Sequence, residues 1–209
     1  MSSALETERP LFIVFEGIDG AGTTTQAQAA CAWLEESTQN PVFLTREPSQ
    51  GPIGALLHQA LRRRIEFDPR VMSLLFAADR LDHLFEEIQQ HLKDGVAVIC
   101  DRYYLSSLAY QMVDAPQDLE WLDQLNAKAI SPDLTILLDV PADVAMDRIC
   151  RGRLNLDLYE NLDRQKLVRD NYLHLAEHRR RPDERIEVVD GHRAQEQVLS
   201  DICELIASV

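Results

Sequence analysis

The chain has 209 residues, 45% of them apolar and 27% charged, enough for one α/β domain with a substantial core and short for two. A formal net charge of −14 argues against a polyanion such as DNA as partner, because that binding runs on clustered Lys and Arg, but it allows a small anion gathered by a few local arginines. No apolar run is long enough to span a bilayer, and Cys31, Cys100, Cys150 and Cys203 lie scattered, without Cys-x-x-Cys or metal spacing, so reduced thiols in a cytosolic protein fit best.

Met1–Pro10 lacks a basic segment followed by an apolar one and reads as a frayed leader before a single domain over 11–209. Leu11–Glu16 (LFIVFE) reads as a buried strand, followed by a glycine-rich turn and a helix from about Thr23 to Glu36. Val42–Thr45 is a second strand. Asp68-Pro69 combines a cap with proline at the first helical position, and that helix runs to Asp94-Gly95, where glycine supplies the stop. Val96–Cys100, Leu134–Asp139 and Ile186–Val189 follow as strands, with helices at roughly 104–128, 142–152, 159–180 and 194–207. Short apolar runs without polar alternation belong to strands covered on both faces. Their alternation with helices predicts one doubly wound α/β domain built on a five-stranded parallel sheet.

Gly17-Ile18-Asp19-Gly20-Ala21-Gly22-Thr23-Thr24 lies where a strand meets a helix, the context required by the phosphate-loop pattern G-x-x-x-x-G-K-[ST]. Glycines there let backbone amides converge on phosphate oxygens, and the helix start adds partial positive charge. Thr24 stands at the position whose hydroxyl holds Mg²⁺; the lysine position is Thr23. Without that ammonium, either an arginine elsewhere substitutes or turnover is weak. A glycine-rich turn with no ligand is the bland alternative.

Five segments in register carry a resemblance: GIDGAGTTTQ from Gly17, TREP at Thr45–Pro48, LLFAADR at Leu74–Arg80, DRYYLSSLAYQ at Asp101–Gln111 and LLDVP at Leu137–Pro141. Together they resemble the thymidylate kinase family over about residues 11 to 205. The resemblance implies a P-loop NTPase fold of the nucleoside monophosphate kinase kind with a short lid at about 148–160. It also implies ATP as phosphoryl donor, thymidine monophosphate (dTMP) as acceptor, Mg²⁺, and a homodimer.

Carried onto this sequence, the resemblance puts the donor phosphates on Gly17, Asp19, Gly20, Ala21, Gly22, Thr23, Thr24 and Thr25, with Arg148 beside them. Arg102 would grip acceptor and transferred phosphate, and Arg46 the acceptor phosphate. Thr24, Asp101 and Glu160 would serve the metal. Phe76 would stack on the base and Arg80 bond its carbonyl, with Ser107 and Gln111 at the thymine edge. Tyr110 would crowd the 2′ position, with Asp19 and Tyr159 near the sugar. Arg151 and Arg153 would close the lid; because Gly20 occupies the loop position where one subgroup keeps its catalytic arginine, the chain resembles the lid-arginine subgroup.

Plainer roles compete at several of these positions: core packing for Phe76, a backbone-bonding hydroxyl for Ser107, a first-turn acid for Glu160. Thr23, Ser49-Gln50 and His58 depart from the family pattern. They leave open a kinase for another monophosphate such as dUMP, or a nucleotide-binding homologue with little turnover.

Overall fold

The computed structural model describes residues 9–114, 118–152, 161–178, 181 and 184–209. Five parallel strands form one sheet: β1 (Phe12–Gly17), β2 (Val42–Arg46), β3 (Ala97–Asp101), β4 (Leu134–Asp139) and β5 (Ile186–Asp190), in the order β2-β3-β1-β4-β5. β1 lies in the middle, and all six of its residues are buried, the apolar run Phe12–Phe15 and then Glu16 and Gly17.

Right-handed crossovers decide which face each helix covers. The connection from β1 to β2 runs one way along the sheet through α1 (Thr23–Thr38), and every later crossover runs the other way. α1 and the C-terminal α9 (Gln195–Ala207) therefore pack together on one face. The opposite face carries α2 (Pro52–Leu61), α3 (Pro69–His83), α4 (Gln89–Lys93), α5 (Tyr104–Asp114), α6 (Leu119–Asn126), α7 (Ala142–Gly152) and α8 (Leu162–His178). β1 and β3 are adjacent yet send their chains to opposite faces, which opens a crevice at their carboxyl ends, where open α/β sheets bind ligands.

All five predicted strands are present, but two helical predictions are corrected and one helix goes unpredicted. The helix expected over 104–128 is two, α5 and α6, with residues 115–117 outside the described set. The segment expected to run unbroken from Pro69 to Asp94 contains a π-helical turn, Leu84–Ile88, between α3 and α4. α2 does not stand out in the sequence pattern, since Gly54 interrupts its apolar residues, yet Leu57 and Ala60 bury themselves against Met72 of α3. The Asp68 cap behaves as predicted, its carboxylate accepting from Arg70 N at 2.9 Å.

Arg181 donates to the carbonyls of Asn126 and Ala129 at 2.8 and 2.7 Å and lies 4.0 Å over the Tyr104 ring. All four cysteines are free, and no described helix is long and apolar enough to cross a membrane.

Candidate active site

β1 ends at Gly17, and the chain turns through Ile18–Gly22 into α1. Ala21 N donates to Ile18 O at 3.0 Å, closing the turn, while the first amides of α1, from Thr23 on, lie where no intrahelical acceptor exists. Gly20 and Gly22 have φ of 82° and 98°, in the left-handed region. At Gly20 the requirement is also spatial, because a Cβ would stand 2.3 Å from the carbonyl oxygen of Ala145 in α7. An arginine in that loop position is therefore excluded by contact with α7. Thr23, at the usual lysine position, is buried.

β3 delivers Asp101 and Arg102 beside this loop. Thr24 Oγ1 donates to Asp101 Oδ2 at 2.5 Å, and Asp101 Oδ1 is buried without a partner among the described residues. A hydroxyl beside a carboxylate with a spare oxygen is a hard-oxygen donor set that fits Mg²⁺. No group of three or more His, Cys, Asp or Glu side chains able to hold a metal occurs among the described residues.

Arg102 has a φ of 72°, and its guanidinium reaches back over the loop, donating to Gly17 O at 2.8 Å and to Asp19 Oδ1 at 2.7 Å. Its charge lies 5.4 Å from the Tyr110 ring centre, and the Tyr110 hydroxyl accepts from Asp19 N at 2.9 Å. Burial pushes the Tyr110 hydroxyl pKa up, so that hydroxyl stays neutral. Arg46 is exposed at the end of β2, lining a cleft of about 330 Å³ with Thr24, Gln50, Glu87 and Asp101.

The residues expected to face the acceptor lie between α3 and α5. Arg80 is buried, its Nη2 2.8 Å from Glu47 Oε2 and donating to Ser107 Oγ at 3.0 Å and Tyr103 O at 3.2 Å. Asn126 Oδ1 accepts from its Nη1. A buried arginine needs such partners, and Glu47 supplies the countercharge. One turn before it, Phe76 is half-buried against the Leu57–Ala60–Met72 cluster. One turn beyond Ser107, Gln111 is buried with both amide atoms unpartnered among the described residues.

Two family departures have visible surroundings. Ser49 donates through N and Oγ to the two oxygens of buried Asp79, at 2.8 and 2.6 Å. His58 is half-buried on α2, its Nε2 without a partner among the described residues.

The lid residues divide. Arg148 donates to the carbonyls of Gly20, Ala21 and Gly191 at 3.4, 3.3 and 3.1 Å, tying α7 to the phosphate loop and to the turn after β5. Arg151 is exposed near the end of α7. Arg153, Tyr159 and Glu160 lie outside the described residues, as does most of the expected lid and residues 1–8 of the expected leader.

Several residues at this crevice do not stand out in the sequence. Glu16 is completely buried and accepts from Tyr103 N, Ser106 N, Ser106 Oγ and the Tyr172 hydroxyl. Burial raises its carboxyl pKa to about 7, opposed by the bonds from Ser106 and Tyr172 and by the charge of Arg102. Gln165 of α8 donates to Asp19 Oδ2 at 3.2 Å. The available signal was an acid closing an apolar central strand, LFIVFE.

A family model described as "Thymidylate kinase" matches residues 15–202. The chain belongs to the thymidylate kinase family. It is 42% identical over 204 residues to a protein of Pyrococcus horikoshii named "Probable thymidylate kinase", covering 95% of this chain and 96% of that one. It is 40% identical over 198 residues to a protein of the same name from Pyrobaculum aerophilum, covering 95% and 97%. A "Thymidylate kinase" of Latilactobacillus sakei is 38% identical over 205 residues, covering 93% and 94%. Family membership and the sheet order agree: this is the P-loop nucleoside monophosphate kinase fold, with the phosphate loop opening the first helix.

Proposed function

We propose that this thymidylate kinase homologue transfers the γ-phosphoryl group of ATP to the phosphate oxygen of dTMP, giving ADP and dTDP. The observation that carries the reading is the meeting of the phosphate loop, the Thr24–Asp101 pair and Arg102 at the carboxyl ends of β1 and β3. Nothing there needs to form a covalent bond to the protein, since phosphoryl transfer depends mostly on positioning and charge.

The loop amides and the start of α1 receive the donor phosphates. Arg102 lies within reach of the loop and carries the cation that follows the transferring group, while Arg46 approaches the acceptor from β2. Thr24 and Asp101 would hold Mg²⁺, with Glu160 from the lid segment; a cation there supplies charge neutralisation at the donor phosphate oxygens. Arg148 orients the loop, and Arg151 and Arg153 bring charge over the phosphates when the lid closes, replacing the ammonium that Thr23 does not provide.

For the base, the unsatisfied Gln111 amide offers a donor and an acceptor to a pyrimidine edge, with Arg80, Ser107 and Phe76 beside it. Tyr110 and Asp19 face the sugar, with Tyr159 following from the lid. Val71, Leu74, Leu81 and Phe85 form an exposed apolar stripe along α3 and its π-turn, which we assign to a homodimer contact in a cytoplasmic enzyme. A buried threonine at the lysine position favours one other reading, a homologue that binds nucleotide with little turnover. A coupled ADP-release assay with dTMP, dUMP and other monophosphates tests the proposal: turnover greatest with dTMP supports it, and binding without turnover overturns it.

A further inference from the structure

We propose that Glu16 is the positioning residue for Arg102, holding both its backbone and its guanidinium in the geometry needed at the transferring phosphoryl group. The inference rests on the kinase reading above and assigns a task to a buried charge which that reading does not use.

Consecutive residues of β1 clamp the backbone of Arg102. Arg102 N donates to Phe15 O at 2.8 Å, and the next amide, Tyr103 N, donates to Glu16 Oε1 at 2.9 Å. Between these anchors Arg102 takes a φ of 72°, a conformation that a residue with a Cβ keeps only when its surroundings enforce it. The same carboxylate organises what surrounds the guanidinium. Glu16 Oε2 accepts from Ser106 Oγ at 2.5 Å and from the Tyr172 hydroxyl at 2.9 Å. Those two oxygens stand 3.4 and 3.5 Å from Arg102 Nη1. Ser106 N completes the set at 3.1 Å from Oε1, fixing the start of α5.

Stability alone does not account for this choice. A hydrocarbon side chain would fill this buried position near the carboxyl end of the central strand without bringing a carboxylate out of water, and replacing buried ionic groups by apolar ones is often neutral or favourable. An acid that also orients a neighbouring arginine has a reason to stay.

A double-mutant cycle separates positioning from general support. Native turnover with ATP and dTMP is measured first; its absence defeats the kinase reading, whereas the outcomes below concern Glu16 alone. Glu16→Gln is expected to lower kcat roughly thirtyfold with nucleotide KM values within about threefold, the scale of losing an orienting partner. In an Arg102→Ala background the same substitution is expected to change kcat by less than about threefold, because the residue it orients is gone. Tyr172→Phe, which removes one hydroxyl, follows the same pattern at about tenfold and decides the matter if Glu16→Gln does not fold. Unchanged kcat in Glu16→Gln, or equal losses in both backgrounds for the folded variant, would overturn the proposal.

Discussion

Arg102 Nη2 lies 2.7 Å from Asp19 Oδ1, so the arginine just past β3 is paired to an acid inside the phosphate loop. The pair is only partly exposed, at 19% and 28% for the two side chains, and it sets a guanidinium beside a loop that lacks its lysine. On the proposed function, an entering triphosphate competes with Asp19 for that cation. On this basis Arg102→Ala should lower kcat by roughly several hundredfold, the scale of losing one transition-state donor. A steady-state kcat within tenfold of native would remove Arg102 from the reacting phosphate.

Gln111 gives a prediction in which stability and affinity move apart. Its amide is buried with no partner among the described residues, so Gln111→Leu removes a polar group that gains nothing in the free protein. The variant should unfold at the same temperature or higher, while the KM for dTMP rises by about tenfold or more. Thermal melts and acceptor titrations check both halves, and an unchanged KM would show that the amide faces no substrate.

Glu16 makes stability depend on pH in a defined direction. Its folded carboxyl has a pKa of about 7 against 4.5 ordinarily, chiefly through burial. The folded state thus binds more protons than the unfolded one between those values, and stability from this group falls as pH rises through the window. The loss amounts to about 3 kcal/mol between pH 4.5 and 8. Denaturation of native protein and Glu16→Gln across that range should show the variant gaining on the native chain with rising pH; a constant difference would mean an ordinary carboxyl pKa.

On α3 and its π-turn, Phe85 is 64% exposed and Leu74 50%, too much apolar surface on one stripe for a helix that faces only water. Phe85→Glu should convert a dimer to a monomer in sedimentation experiments at micromolar concentration. A native chain that sediments as a monomer would contradict the assignment.

The sheet was legible because buried parallel strands are written as apolar runs, and LFIVFE, VAVIC and LTILLD all lie where those runs predict. Asp101 and Arg102 could be placed beside the loop because a strand's carboxyl end is where open sheets gather ligands. What stayed hidden depends on contacts distant in sequence. No local pattern says that Glu16 meets Tyr172, or that Arg148 turns to the carbonyls of Gly20 and Gly191. The π-turn was equally silent, since the apolar spacing of Leu84, Ile88 and Leu92 suits an uninterrupted helix.

The central claim is that this loop works without an ammonium because guanidinium groups make up its charge. Its most direct test is the rate at which γ-labelled ATP passes label to dTMP, in the native chain and in Thr23→Lys. Native protein should yield labelled dTDP, and the lysine should change the rate by less than about tenfold, since Arg102 and the lid arginines already supply the cation. A rise of about a thousandfold on restoring the lysine, or label that never leaves ATP in the native chain, would contradict the account.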